Sequence, residues 1–203
     1  MRYSTTLVSL FLVASVSSLA ACGDGADGDN ENEVITTVTL TFAPQGSGAA
    51  VTAEFDDPDG DGGDPPTADP VDLAAGTYTM TVIFENRLED PPEDITTEVE
   101  DESDEHQVFL TGTAVDGPAS DNPGAPLSHA YADQDAGGLP IGLSNTITAA
   151  AGTGQLTVTL RHLPPVNDTA VKTADLPSQI NAGGFSSIGG TTDATADFTV
   201  TVQ

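Results

Sequence analysis

From Val34 onward the chain alternates. Val34, Thr36, Val38, Leu40 and Phe42 fall on one side of an extended segment, with Ile35, Thr37, Thr39 and Thr41 on the other. That is the period of a half-buried strand. The same beat recurs at Ala49 to Phe55, Thr77 to Glu85, Gln107 to Thr111, Ser144 to Ala150, Gln155 to Leu163 and Thr195 to Gln203. Threonine and valine carry most of these runs, as β-branched side chains suit a pleated surface. Pro- and Gly-rich stretches, among them Asp56 to Asp72 and Gly117 to Pro126, separate them. Seven or more strands with turn signals between them predict an all-β fold, an antiparallel β-sandwich formed by residues 34–203. Immunoglobulin-like is the favoured class, without its usual disulfide or tryptophan; a jelly roll or another Greek key stays open.

One stretch breaks the beat. Pro91 and Pro92 precede Glu93-Asp94-Ile95-Thr96-Thr97-Glu98-Val99, whose apolar residues stand at i and i+4 with acids in the first turn. This predicts one short helix near residues 92–105. Acids in its last turn oppose the helix dipole and its threonines are mediocre helix formers, so an extended acidic loop is the alternative.

Charge narrows the function classes. The chain has 32 Asp plus Glu against 4 Lys plus Arg, a formal net charge of −28 that repels a phosphate backbone, so nucleic acid is excluded as a main partner. A single Cys rules out an internal disulfide and a Cys-rich zinc site. From Glu85 to Glu105, 11 of 21 residues are acidic and only Arg87 is basic, which reads either as a face for cations or a basic partner, or as a solvated surface suited to a salty medium. The solvated surface is the preferred reading.

At the N-terminus, Arg2 precedes an apolar stretch from Leu7 to Leu19 and then Ala20, Ala21 and Cys22. The stretch is too short and too rich in Ser for a comfortable membrane span, and it has the pattern of a secretory signal over residues 1–21. Leu19-Ala20-Ala21-Cys22 resembles the lipobox of bacterial lipoproteins. The resemblance implies that Cys22 is lipidated after cleavage and becomes the acylated N-terminus, with several acyl chains giving stable attachment. Residues 22–33, rich in Gly, Asp, Asn and Glu, bury too little apolar surface to offset their ordering entropy and are expected to form a flexible acidic tether. The expected location is the outer membrane, on the periplasmic face or the cell surface.

The sharpest motif in the body is Asp57-Pro58-Asp59-Gly60-Asp61-Gly62-Gly63-Asp64. Carboxylates at positions 1, 3 and 5 followed by Gly match the first half of an EF-hand-type loop, with Asp57, Asp59 and Asp61 turned onto one Ca²⁺ and Gly63 offering its carbonyl. Position 12 is Ala68, so the bidentate Glu is missing and Asp64, Asp69 or Asp72 has to close the shell. The competing reading is an Asp/Gly/Pro loop whose side chains cap their own turns. Asp133-Gln134-Asp135-Ala136-Gly137-Gly138, between Leu127 to Ala132 and Leu139 to Leu143, is expected to be a hairpin turn with Asx hydrogen bonds.

His106, His129 and His162 stand far apart with no close His or Cys partner, and scatter is preferred over convergence on a transition metal. Both Gly-x-Ser-x-Gly and Gly-x-x-x-x-Gly-Lys are absent, and few aromatics are on hand to stack a sugar. No catalytic residue is assigned.

Phe55-Asp56-Asp57-Pro58-Asp59-Gly60-Asp61-Gly62-Gly63, Gly76-Thr77-Tyr78, Glu93-Asp94-Ile95-Thr96 with Glu105-His106-Gln107, Pro140-Ile141-Gly142-Leu143 and Leu156-Thr157-Val158-Thr159-Leu160-Arg161-His162 resemble a group of small uncharacterised lipoproteins of Gram-negative bacteria, sometimes labelled as containing a type 1 periplasmic-binding domain. That label implies a two-lobed α/β fold, whereas the strand periodicity here predicts a sandwich. The expected role is non-enzymatic binding or interaction by a lipid-anchored envelope protein, with a structural Ca²⁺ and an unassigned protein or small-molecule partner. The alternatives are a substrate-binding lipoprotein that delivers a small molecule or metal to a transporter, and a carboxylate-dependent hydrolase.

Overall fold

The fold is given by a computed structural model that describes residues 34–60 and 62–203. The signal segment 1–21, the tether 22–33 with Cys22, and Asp61 lie outside the described residues. In chain order the elements are β1 Thr37–Pro44, β2 Val51–Asp56, β3 Thr67–Ala68, β4 Val71–Leu73, β5 Gly76–Asn86 and β6 Glu93–Asp94, then α1 Ile95–Asp101 and β7 His106–Thr111. They continue with β8 Val115–Asp116, β9 Leu127–Tyr131, β10 Ser144–Ala149, β11 Gly152–His162, α2 Leu176–Gly183, a 3-10 turn Phe185–Ser187 and β12 Thr191–Val202.

The strands form two sheets. One runs β3-β2-β1-β5-β10-β9-β8 with β6 beside β5; the other runs β4-β12-β11-β7. Every long pairing is antiparallel, and in this respect the alternation predicted the fold well. The exceptions are β4 on β12 and β8 on β9, which are parallel. These are two- and three-residue edge pieces donated by loops, too short to carry a periodicity of their own.

Both sheets turn their apolar parity inward. Leu40 and Phe42 of β1, Met80, Val82 and Phe84 of β5, Val108 and Leu110 of β7, Leu156, Val158 and Leu160 of β11, and Phe198 and Val200 of β12 share one core. Each large side chain so buried is worth about 1.5–3 kcal/mol relative to exposure. A second, smaller cluster forms where Phe109, on the opposite parity of β7, packs with Ala119, Leu163, Leu176 and Ile180 under α2.

The expected helix is present as α1. Asp94 caps it, accepting from the Thr97 N–H at 3.4 Å and the Thr97 hydroxyl at 2.8 Å, and Ile95 and Val99 are its buried face. A second helix, α2, was not expected. Leu176 and Ile180 bury one side of it and Gly184, at φ +70°, ends it. The 127–149 hairpin also differs from expectation. Its arms are β9 and β10, while residues 139–143 form part of a long loop, because Asp133 accepts the N–H groups of Gly142 and Ser144 at 2.7 Å each and ties the loop to the start of β10.

Candidate functional site

Along β5 the neighbouring strand changes. β10 pairs with it only up to Thr81 and β6 only at Glu85 and Asn86, which leaves a gap between them where the Leu143 carbonyl takes the Val82 N–H at 2.9 Å. α1 fills part of that gap, as the Thr96 hydroxyl accepts from the Phe84 N–H at 2.9 Å and donates to the Phe84 carbonyl at 3.2 Å, completing a ladder position that no strand reaches. What stays open is a cleft of about 820 Å³. Ile83, Ile141 and Leu143 supply an apolar floor, and Glu85, Asp94, Glu100 and Asp133 supply four carboxylates; no lining side chain is basic. Asp94 is held below the usual carboxylate range chiefly by its hydrogen bond from the Thr97 side chain, so it stays ionised.

A second constellation lies at one end of the inter-sheet core. β7 pairs with β11 so that His106 stands directly opposite His162. Both share the inward parity of Val108 and Leu160, and their rings stack with centroids 4.6 Å apart and planes 8° from parallel. The carbonyl of Glu102, at the C-cap of α1, lies 3.2 Å from His106 Nδ1, and the carboxylate of Glu105 lies 3.6 Å from His162 Nε2. Glu102, His106 and His162 present ligand-type atoms all within 4.8 Å of one another.

Asp193 approaches His106 by way of a β-bulge. Leu160 faces Ala194 and Arg161 faces Thr192, so Asp193 is the extra residue of β12. A bulge re-aims the side chain it carries, and here the carboxylate is 0% exposed with Oδ2 at 4.0 Å from Nε2 of His106, itself 1% exposed. Neither Asp193 oxygen nor His106 Nε2 has a hydrogen-bond partner among the described residues. Arg161, the nearest cation along the sheet, sends Nη1 and Nη2 to Thr192, Gly189 and Gly190 and leaves its Nε without a partner among the described residues. Burial pushes His106 down to about 4, against the pull of the Glu102 carbonyl, and pushes Asp193 up to about 6 against the positive fields of His162 and Arg161. A cleft of about 470 Å³ passes beside Asp193 between Asp57, Gly60, Phe55 and Leu88.

The Asp-rich loop is partly turned on itself. Asp59 Oδ2 accepts the Asp64 N–H at 3.0 Å, and the Asp59 carbonyl accepts from Gly62 at 3.2 Å, the capping arrangement open to such a loop from its sequence. Asp57 is nevertheless raised, first by desolvation and then by the charge of Asp59, and Oδ1 of each is buried without a donor. Gly63 is exposed, as is Asp64. Asp133 and Asp135 behave as turn formers: Asp135 accepts from Leu139 N at 2.9 Å and takes an ion pair from Lys172 at 2.8 Å. His129 stands alone in the other sheet, its Nε2 2.8 Å from Asn145 Oδ1, and burial lowers it.

The sequence predicts scattered histidines, and two of the three converge. The reason is strand order, which no local pattern encodes. Asp193 and Glu102 were not singled out at all, and the only signal for Asp193 was a carboxylate just ahead of the regular alternation that starts at Thr195. No protein-family model matches the chain, and neither does any curated protein or solved structure.

Proposed function

We propose that this chain is a lipid-anchored envelope protein of the immunoglobulin-like, Greek-key sandwich class that binds an organic cation without transforming it. The observation that carries the binding role is the cleft between β5, α1 and the 133–144 loop, with its apolar floor and four carboxylates. Its size falls in the range of small-molecule sites, about 300–1,000 Å³. An amine with an apolar body matches it: the body covers Ile83, which is 41% exposed, and the ammonium group meets Glu100 and Asp94. Support for the sandwich class is the single core shared by the inward faces of both sheets. Support for the anchor is the Leu19-Ala20-Ala21-Cys22 motif and the acidic segment after it.

The binding test is calorimetric titration of phenethylamine into the full chain, with phenylpropionate as the anionic control. Saturable binding of the amine alone, weakened at least tenfold by Glu100→Gln and by Ile83→Ser, is expected; equal binding of both probes, or none, overturns the reading. Cys22→Ser is expected to release the protein from membranes into the soluble fraction, and retention sinks the anchor.

A calcium role for the Asp57–Asp64 loop has one observation in its favour, the two undonated oxygens on Asp57 and Asp59. Ca²⁺ titration with an Asp57→Asn, Asp59→Asn control decides it, and heat that survives the double change removes this loop as the site.

A further inference from the structure

We propose that His106 Nε2 and Asp193 are ligands of a transition-metal dication of the zinc class, with His162 as the third. The hydrogen bond fixes the tautomer. Nδ1 of His106 lies 3.2 Å from a carbonyl, which only accepts, so Nδ1 carries the proton and Nε2 presents its lone pair. Metal-binding imidazoles are characteristically held this way, with the far N–H handed to a carbonyl or carboxylate. For the same reason the side chain of Glu102, which approaches Nδ1 at 3.9 Å, is on the wrong edge of the ring to share an ion with it.

Opposite Nε2 stands a carboxylate that is 0% exposed and without a donor on either oxygen. Two bare acceptors facing each other in a dry place require something positive between them, since buried polar atoms are almost always paired. At 4.0 Å the gap is too wide for a direct hydrogen bond, so a third body bridges it, and the pairing of an imidazole lone pair with a carboxylate is the donor set that a transition-metal dication takes. Zinc–nitrogen and zinc–oxygen bonds of about 2.0–2.2 Å span it at an angle near 150°, and a shift of about half an ångström brings the tetrahedral value.

His162 lies stacked on His106 with its Nε2 3.6 Å from the Glu105 carboxylate, so it does not face Asp193 as it stands. A turn of the ring about its Cβ–Cγ bond brings it onto a shared ion, and the stack opens. Two imidazoles and a carboxylate suit zinc, copper or nickel better than calcium or magnesium. The 470 Å³ cleft passes beside Asp57 and Asp193 and has no basic lining residue, while the Asp193 carboxylate itself, 0% exposed, is closed from it.

The test uses the full chain stripped with chelator and held in excess Ca²⁺ to occupy surface carboxylates. Zn²⁺ is titrated by calorimetry and Co²⁺ by visible absorption, on wild type, Asp193→Asn, His106→Gln, His162→Gln and, as the distant control, His129→Gln. One equivalent with a raised melting temperature is expected, weakened at least tenfold by each of the first three changes and untouched by the fourth. Absence of binding overturns the site, as does binding that survives Asp193→Asn or that is lost equally with His129→Gln. Melts in chelator verify the fold. Asp193→Asn removes an unpaired buried charge, so its metal-free form is expected to melt no lower than wild type, and His162→Gln reads the site independently if it does.

Discussion

Lys172→Met is expected to destabilise the domain by about 3–5 kcal/mol, the cost of leaving one partner of a buried pair behind. Side chains of Lys172 and Asp135 are 1% and 2% exposed, and they meet at 2.8 Å. The ammonium also donates to the Ser103 carbonyl at 2.6 Å, so one residue ties the α1–β7 turn to the 132–143 loop. Its removal strands a carboxylate left with backbone N–H groups such as that of Leu139 and a carbonyl that loses its donor. Methionine fills most of the stem volume, so little of the loss is packing. Asp135→Asn in the Lys172→Met background removes the stranded charge and is expected to recover at least about 1 kcal/mol, a coupling that neighbours show and distant sites do not. Urea unfolding of the four proteins of this cycle, at low and high salt, measures it, and the sheltered pair should respond little to salt. The folded pKa of Asp135 is lowered, with Lys172 as the leading favourable cause against desolvation. The stability it contributes is therefore present above its unfolded value, near 3.9, and lost as pH falls through the folded value. A Lys172→Met cost below about 1 kcal/mol, or a double change that merely adds the singles, refutes the reasoning.

His129 is buried and its folded pKa is lowered; below about pH 6.5 the unfolded chain takes up the proton first, and stability falls by up to about 1.4 kcal/mol per pH unit. Asn145, Asp133 and Tyr131 are the groups around it, and His129→Gln, followed by thermal melts from pH 7 to 5, should flatten the difference curve; parallel curves count against it. Asp94→Ala removes the cap of α1 and is expected to cost about 1 kcal/mol by urea unfolding, whereas no change makes the 3.4 Å bond to Thr97 N inconsequential. Gly142 has φ +90°, and a Cβ there meets the Val108 carbonyl at 2.7 Å, so Gly142→Ala should cost more than about 2 kcal/mol in the same assay; a cost under 1 shows that the loop yields.

Strands such as β1, β5 and β12 were legible because they have one wet and one dry side, whereas β7 is buried on both faces. Thr37 to Pro44 shows a buried-parity row at Val38, Leu40 and Phe42, and period two is a local property. β4 and β8 were not legible, since two or three residues against one strand edge leave no period. α2 lay hidden in a stretch where Leu176 and Ile180 are its only aliphatic contacts on one face, too few to stand out as a helical stripe. The histidine pair depends on β7 lying beside β11, two strands separated by β8, β9 and β10 in the chain but adjacent in the sheet. The turn to Asp193 depends on a single unpaired residue, and a bulge has no residue code beyond its misfit with the partner strand. The acid-rimmed cleft was half legible: Glu85 to Glu105 announced the charge, and the apolar floor from Ile141 and Leu143 arrives from a loop far along the chain.

β12 occupies an inner place in its sheet, with β4 on one side and β11 on the other. Val71 pairs with Val200, so the smaller sheet cannot be assembled in the order in which it is synthesised. Everything up to residue 190 emerges with β4, β7 and β11 short of the strand that joins β4 to the others, and Phe198 and Val200 are missing from the core. Assembly of the smaller sheet then waits on β12, with the slow kinetics of long-range pairing, about milliseconds to seconds.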